Sequence, residues 1–355
     1  MANFSFETSL DIKNKSVSKN EPKELKVKNN KFNWKIVVFS FLAVISLFIL
    51  IFSSFFSEGK IINVQETINK INNFPHIYAV KFVGIPVAVF LTSIGFAFSG
   101  YSMQAVSRNP LATPTTLGYM PAAMLGMLVS KAIISNEIYL PVILGITFAS
   151  IIIALNFIMM KGNIYEAGFK PILVGFAIGG MMNGVIVLLD RFVKDVNVKE
   201  IGFLYNPVVF NNRIQLYICG SLILASGICF MVMAPYYQII ERDVVLAKSL
   251  GIKVDLVFWM TGLFAVVCTV CSIILIGPLT LIGMVTPHVA RILNPRGRAW
   301  ENLLLSMLIS IILIASSRWL LDTYSDFNIN FFSAVAALPV FAYIFFSKRY
   351  RKHVE

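Results

Sequence analysis

Charged and titratable residues are scarce in this 355-residue chain: Asp, Glu, Lys and Arg make up 14% of it, and it holds three histidines and four cysteines. The acids that lie near long apolar runs, Asp190, Asp255 and Asp322, are at the ends of those runs. A proton-coupled secondary transporter uses carboxylates inside its membrane helices, so that class is disfavoured. The histidines lie far apart along the chain, and no catalytic constellation can be assembled around them. We therefore expect that the chain is not an enzyme.

Nucleotide and metal chemistry also lack their usual motifs. The chain has no phosphate-binding loop of the form G-x-x-x-x-G-K-[ST], so neither ATP with Mg nor any other cofactor is expected on it. The cysteines Cys219, Cys229, Cys268 and Cys271 fall within apolar runs, where a thiol behaves as a small hydrophobe. Cys268 and Cys271 share one helix face, which leaves a redox or metal role open, but packing is the favoured interpretation and no metal site is predicted.

Apolar residues are abundant instead, at 57% of the chain with 30 Phe. They form runs of about 20 residues, each long enough to cross a hydrocarbon core as a helix. The runs lack the alternation of barrel strands, and a spanning backbone must otherwise be helical. The sequence therefore predicts an all-α, polytopic membrane helical bundle. The first run, 36–56, has no small-x-small cleavage site, so we expect it to be retained as the first span.

Ten spans can be placed on the chain, with both termini cytoplasmic. They are approximately 36–56, 82–106, 114–131, 138–160, 169–189, 214–234, 256–276, 279–293, 303–321 and 330–347. Most of the 30 Lys and Arg then lie on the inner side, as the positive-inside rule requires. The net charge of +12 thus indicates topology rather than a nucleic-acid partner. The predicted domains are a disordered basic cytoplasmic tail over 1–35, a transmembrane domain over 36–347 and a basic cytoplasmic tail over 348–355, in the cell (inner or cytoplasmic) membrane. The basic tail is an orientation signal or a contact with anionic lipid, and the former is favoured.

The stretch 95–126 combines small residues with a helix break. Gly95, Ser99 and Gly100 have the close helical spacing that lets membrane helices approach tightly, which predicts a central helix. Arg108-Asn109-Pro110 breaks that helix, because proline has no N–H and disfavours helix in the residue before it. Pro114 is expected to begin the next helix. The connection is either a plain cytoplasmic turn capped by Asn109 or a gate at the inner mouth, and the residues alone leave both open.

The stretch 256–290 carries no charge and, as one helix, would be about 52 Å long. The chain must therefore fold back, and Gly277-Pro278 is the predicted turn. The next span, 279–293, is short, with Gly283 expected to pack closely on a neighbour. At its end Pro287 loosens the last turn, while His288 and Arg291 share one face. Because an arginine at mid-membrane costs roughly 2.5 to 3.5 kcal/mol, this pair is placed near the cytoplasmic surface. A proton relay through His288 is an alternative, but a structural or interface role is favoured.

The inner segment 235–254 differs from the other connections. Pro235 is expected to end a span, Arg242-Asp243 to open a short helix and Gly251 to stop it. Two short cytoplasmic helices follow from this pattern. They form either an interfacial hairpin or a docking element for a cytoplasmic partner, and local sequence leaves both open.

These stretches together resemble one family. "SGYSMQAVSRNPLATPTTLG" resembles the SG-x3-Q-x3-RNPLA-x-P-x3-G pattern of the FecCD-type permeases, the membrane subunits of ATP-binding-cassette (ABC) importers for iron chelates, haem and cobalamin. "GPLTLIGMVTPHVARIL" resembles that family's GPI-G-F-x-G-L-x-x-PH-x-x-R pattern, "AKSLGIKV" its coupling segment and "ALPVFAYIFF" its final span. The resemblance covers about residues 36–347, and ten helices with both ends inside is also that family's architecture.

The resemblance implies roles for individual residues. Asn109 and Leu111 match the family's inner gate, and residues 241–253 match the coupling helices that seat in a cleft of the ATPase. The coupling residues it implies are Arg242, Ala247, Leu250, Gly251 and Lys253. The residues it implies for the structural motifs are Arg108, Pro110, Gly277, Pro278, Gly283, Pro287, His288 and Arg291.

The resemblance also implies partners and a cargo. The partners are a second permease copy or a paralogue, a cytoplasmic ABC ATPase dimer that binds ATP and Mg, an extracytoplasmic substrate-binding protein and membrane lipid. The sequence departs from the family on the outer side, where the family's LPR element reads "VGIP" here. Lys81 and Arg318, basic and outer, are candidates for docking the binding protein or for anchoring at the interface. The expected cargo is a ferric siderophore, with haem next and cobalamin third.

Overall fold

A computed structural model describes residues 34–54, 56–57, 60–61, 83–134, 138–159, 170–192 and 213–323, together with 331, 334–335, 338–339 and 342. The predicted tails, Lys81 and most of the predicted span 330–347 lie outside these residues. The chain divides into two compact units, Met1–Trp34 and Lys35–Glu355. The first is described only at Trp34, and all contacts given below lie within the second.

The described chain is helical, as predicted. Its helices are α1 (Trp34–Ser54), α2 (Ile85–Ser107), α3 (Tyr119–Ile133), α4 (Leu140–Met159), α5 (Lys170–Phe192), α6 (Arg213–Arg242), α7 (Val244–Ser249), α8 (Val254–Ile276), α9 (Ile282–Leu293) and α10 (Ala299–Thr323). Two-residue strands β1 (Phe56–Ser57) and β2 (Lys60–Ile61) form an antiparallel pair after α1. Within the described ranges, six helices are long and apolar enough to cross a membrane, and α3, α4 and α9 are shorter apolar helices.

Helix α2 lies at the centre of the bundle, as the small residues predict. It packs against α6, α8, α9 and α10, and nearly every residue from Ala88 to Ser107 is buried. A Cβ added at Gly95 would lie 3.3 Å from the Cys268 carbonyl oxygen of α8, so the glycine allows these two backbones to approach. The close spacing that membrane helices gain from small residues is therefore used on α2.

The turn at Gly277-Pro278 is also confirmed. Helix α8 ends at Ile276, Gly277 adopts φ +100° and the twelve-residue α9 begins at Ile282. A φ of this sign is costly for residues with a Cβ, which accounts for glycine here. Pro287 is accommodated inside α9 rather than ending it.

The prediction that Pro235 ends a span is wrong. Helix α6 runs through Pro235 to Arg242, so the segment 235–254 holds one short helix, α7, instead of two. The buried face of α6 continues past the proline through Tyr237 and Ile240, and the Tyr237 hydroxyl lies 3.0 Å from Thr261 Oγ1 on α8. This packing offsets the one backbone hydrogen bond that proline removes.

The predicted helix start at Pro114 is also wrong, since α3 begins at Tyr119. Residues 114–118 form turns instead. Thr116 Oγ1 donates to the Leu111 carbonyl at 2.6 Å, and the Thr113 N–H donates to Thr116 Oγ1 at 2.8 Å. Threonine side chains that bond nearby backbone in this way compete with helix. Gly118, at φ +81°, then redirects the chain into α3.

Candidate functional site

The two sequence motifs meet where α2 crosses α9. A Cβ added at Gly100 would lie 1.9 Å from the Gly283 carbonyl oxygen, and one added at Gly283 would lie 3.2 Å from the Phe96 carbonyl oxygen. The two backbones are thus in direct contact, which excludes a Cβ at Gly100 and leaves little room for one at Gly283. The close packing predicted for Gly283 is present, and its partner is the other motif.

Arg291, at the end of α9, joins three helices. Its Nη1 donates to Gln104 Oε1 of α2 at 2.5 Å, and its Nε forms an ion pair with Glu241 Oε1 of α6 at 2.9 Å. The guanidinium lies 4.5 Å from the ring centroid of Tyr101, also on α2, a favourable cation–π arrangement. Arg291, Gln104, Glu241 and Tyr101, together with Met284 of α9, form what we call the Arg291 cluster. An arginine that is largely removed from water needs such partners, so this cluster fixes the ends of α2, α6 and α9 together.

Gln104 is the joint between the Arg291 cluster and the helix break. The residue is 2% exposed. Its Nε2 donates to the Met284 carbonyl at 3.2 Å while its Oε1 accepts from Arg291. Its backbone carbonyl accepts from the Asn109 N–H at 3.2 Å. One residue therefore bonds to α9 through its side chain and to the predicted gate through its main chain.

The break after α2 is an ordered, largely buried connection. Arg108 ends the helix with φ +51°, and Asn109, only 6% exposed, accepts from the Leu111 N–H at 3.0 Å through Oδ1. Pro110 is exposed and Leu111 is half-buried. This is the local asparagine turn that the sequence suggested, placed inside the protein. A gate role for Asn109 and Leu111 stays a prediction.

Helices α4 and α5 hold the far end of that connection. Asn156 Nδ2 of α4 donates to the Leu117 carbonyl at 3.0 Å. Gly175 of α5 lies against the same residues, because a Cβ added there would be 2.5 Å from Leu117 Cα and from the Thr116 carbonyl oxygen. The connection 108–118 is consequently bonded to α2 at one end. At the other end it is hydrogen-bonded to α4 and packed against α5.

Helix α7 forms an exposed apolar ridge. Asp243 caps its start by accepting from the Val245 N–H at 2.8 Å, and Gly251, at φ +79°, follows its end, as predicted. Ala247 is buried beneath the helix. The outward residues are the apolar Val245, Leu246 and Leu250 and the basic Arg242, Lys248 and Lys253. Exposed apolar side chains rimmed by charge are typical of a protein-binding surface.

A second ion pair lies at the same end of the bundle, between α1 and α10. Lys35 Nζ at the start of α1 lies 3.0 Å from Glu301 Oε2 of α10. The same oxygen accepts from Asn294 Nδ2, just after α9, at 3.0 Å. The first turn of α1, the end of α9 and the start of α10 are therefore tied together.

The remaining predicted residues lie in different environments. His288 is buried, Pro278 is buried beside the turn and Arg318 is half-buried near the end of α10. Lys81 lies outside the described residues. Cys219, Cys268 and Cys271 are buried free thiols, and no group of three or more possible metal ligands occurs within the part of the chain that the structure describes.

Sequence reasoning did not single out three members of the Arg291 cluster, namely Tyr101, Gln104 and Glu241. Gln104 carried a signal, since an amide inside an apolar helix is costly unless it is bonded, and it stands at a fixed place in the first motif. Glu241 carried none, because an acid at a helix end is ordinary. The contact of Gln104 with Arg291 bridges 187 positions of sequence, which no local pattern indicates.

The model of the FecCD transport family matches residues 30–347. Among curated proteins, the probable heme-iron transport system permease protein IsdF of Staphylococcus aureus strain Newman is 26% identical over 196 residues, and so is its counterpart in strain bovine RF122 / ET3-1. Each match covers 55% of this chain and 58% of the relative. The match therefore spans little more than half of the length of these relatives.

Solved structures share the fold. An inward-facing transporter described as of the metal-chelate ABC type superposes with a TM-score of 0.71, at 18% identity, over 88% of this chain and 99% of its own. PsaBC from Streptococcus pneumoniae, in complex with a Fab, superposes with a TM-score of 0.54, at 15% identity, over 81% of this chain and 98% of its own.

Proposed function

This chain belongs to the FecCD transport family, and we propose that it is the membrane-spanning permease subunit of an ABC importer for an iron chelate. It is a multi-pass membrane protein whose family supplies transport subunits, and ATP hydrolysis is assigned to a separate subunit. We place it in the cytoplasmic membrane. The single observation that carries the proposal is the exposed apolar ridge of α7, in a chain that the family model matches over residues 30–347.

The ATPase partner is proposed from the chemistry of α7. Val245, Leu246 and Leu250 stand outward on a short helix, and Arg242, Lys248 and Lys253 surround them. A knob of this kind fits a cleft with an apolar floor and acidic rim. ATP binding closes the ATPase pair, moves α7 and shifts the connection 108–118, so that access to the pathway alternates.

The pairing partner is proposed from the two faces of α5. Gly175 and Gly179 face the chain's own residues, Leu117 and Pro121. Gly180 and Gly184, four residues apart, face outward, and nothing in the described chain lies within 4 Å of a Cβ added at either. Asn183 beside them is exposed, and a polar side chain in an apolar span favours another helix over lipid. We propose that a second copy of this chain covers this face.

The cargo is proposed only as a chemical class, the iron chelates. The name of IsdF supports haem, while the sequence motifs are shared by importers for ferric siderophores. Both are bulky iron chelates, for which a pathway needs few specific ligands. Selection then belongs to the extracytoplasmic substrate-binding protein. Lys81 and Arg318 remain our candidates for contacts with it.

The test is uptake by proteoliposomes that contain the chain and the ATPase and binding protein encoded beside it. The binding protein is loaded in separate samples with radioactive iron as haem or as a ferric siderophore. ATP-dependent uptake of one of them supports the proposal and identifies the cargo. An ATPase variant that lacks its phosphate-loop lysine is the control. Uptake of neither chelate, with ATP hydrolysis intact, would contradict the assignment to iron.

A further inference from the structure

We propose that the Arg291 cluster transmits the movement of α7 to the connection 108–118, with Arg291 as the positioning residue between them. This inference rests on the proposed function, since it supposes that a partner moves α7. The sequence motifs assign Arg291 a supporting role in the fold. The contacts of the cluster assign it a place on a continuous path between two elements that must move together.

The path starts at the docking helix. Glu241, in the last turn of α6, is two residues before Asp243, whose side chain caps α7. Asp243 is bonded to both helices, because its N–H donates to the Ile239 carbonyl of α6 and its carbonyl accepts from the Ala247 N–H of α7, each at 3.1 Å. A displacement of α7 therefore moves Glu241. The ion pair of Glu241 Oε1 with Arg291 Nε, at 2.9 Å, passes that displacement to α9.

The path continues into α2 through two bonds on one side chain. Arg291 Nη1 donates to Gln104 Oε1, and Gln104 Nε2 donates to the Met284 carbonyl of α9. Both polar atoms of this 2% exposed amide are thus bonded to α9. Since an unpaired buried amide is costly, Gln104 follows α9 when it moves.

The path ends at the predicted gate. The carbonyl of Gln104 accepts the N–H of Asn109 at 3.2 Å, and Asn109 Oδ1 in turn fixes the Leu111 N–H at 3.0 Å. Arg108, which lies between Gln104 and Asn109, has φ +51°, a conformation that residues with a Cβ adopt at a cost. The break is therefore a joint that is held in place by its bonds, and a shift of Gln104 changes those bonds first.

The ion pair between Lys35 and Glu301 supplies a matched control. It has the same chemistry, a similar distance of 3.0 Å and a place at the same end of the bundle. It connects α1 to α10 and has no member in α2, α6 or α7, and Lys35→Gln removes the ion pair without changing either partner of the bond between Asn294 and Glu301. Breaking it tests whether the loss of any ion pair at this end has the same effect.

The experiment uses the full chain in complex with its ATPase and follows a reporter cysteine, Thr115→Cys. Thr115 is half-buried in the connection 108–118. Its labelling by a membrane-impermeant maleimide is measured with and without a non-hydrolysable ATP analogue, and the chain without the reporter gives the background. Coupling between two sites commonly changes an equilibrium by roughly 5- to 150-fold, so we expect the analogue to change the labelling rate of the parent by about fivefold or more.

Glu241→Gln and Gln104→Leu each interrupt the path with a side chain of similar size. In complexes saturated with the ATPase, we expect the response of the labelling rate to fall below about twofold in either variant. The double variant should respond like either single variant, because both lie on one path. Lys35→Gln should keep the parent's response.

A full response in well-folded Glu241→Gln and Gln104→Leu complexes would overturn the inference. An equal loss in Lys35→Gln would overturn it as well. Additive losses in the double variant would also contradict a single path. A parent complex that responds to the analogue but takes up neither chelate contradicts the proposed cargo and leaves this inference intact. An ATPase that does not bind the parent chain contradicts both.

Discussion

Val244 and Val245 are consecutive residues of α7 that face opposite ways. Val244 is 8% exposed and is packed under the helix, whereas Val245 is 75% exposed. Ala247 is buried on the side of Val244, and α7 packs with that side on α6 and α8. Val244 therefore packs within the fold, and Val245 is part of the exposed surface. Substituting each valine in turn separates the packing role of α7 from its docking role.

The first prediction uses this pair. Val245→Asp should leave the melting temperature of the purified chain unchanged and abolish its binding to the ATPase, because it places a charge on the exposed ridge. Val244→Asp should lower the melting temperature strongly, since a buried unpaired carboxylate is costly. Melting in detergent and pull-down of the ATPase measure the two effects. Equal effects of both variants on binding and on melting would show that α7 has no separate docking face.

The second prediction concerns the end of α7. Gly251 has φ +79° and no atom within 4 Å of an added Cβ, so Gly251→Ala acts only through the backbone. Adopting a left-handed conformation costs residues with a Cβ roughly 1–2 kcal/mol, and asparagine tolerates it better. We expect ATPase affinity to fall in the order Gly, Asn, Ala. An unchanged affinity for Gly251→Ala would mean that the end of α7 does not set the docking geometry.

The third prediction tests the crossing of α2 and α9. Gly100→Ala places a Cβ against the Gly283 backbone, which cannot yield as a side chain does, so we expect a loss of about 3 kcal/mol or more and poor recovery of folded protein. Gly262→Ala is the control, because its Cβ would meet Ile153 Cδ1 at an ordinary 3.4 Å. Thermal melting compares the stability of both variants, and a stable Gly100→Ala protein would contradict the close crossing.

The fourth prediction separates the two faces of α5. Gly184→Leu should preserve the fold of the chain, since space is open there, and should weaken pairing with a second copy. Gly175→Ala should disturb the fold itself, because its Cβ would lie 2.5 Å from Leu117 Cα. The masses of the detergent-solubilised variants report pairing, and melting reports the fold. Undiminished pairing of Gly184→Leu would place the interface elsewhere.

Much of the fold follows from the sequence because its causes are local. The length of the apolar runs, the Gly277-Pro278 turn and the small residues of α2 each act over a few positions, and each leads to the structure observed. Pro235 and Pro114 show where local reasoning fails. The buried face of α6 continues past Pro235, and the bonds of Thr113 and Thr116 delay the start of α3.

The site was only partly predictable, for a different physical reason. The Gly251 stop and the Arg242-Asp243 start are local features of α7, and sequence places them correctly. The partners of Arg291 depend on how α2, α6 and α9 are arranged in space. Neither Gln104 nor Glu241 is near Arg291 in sequence, so their contact exists only after the helices have packed.

The most direct test of the central claim is ATP hydrolysis by liposomes that contain this chain with its ATPase, compared between empty and chelate-loaded binding protein. We predict that loaded binding protein stimulates hydrolysis and that Val245→Asp abolishes this stimulation while the chain remains folded. Hydrolysis that ignores the binding protein, or stimulation that survives Val245→Asp, would contradict the claim that this chain is a permease subunit coupled through α7.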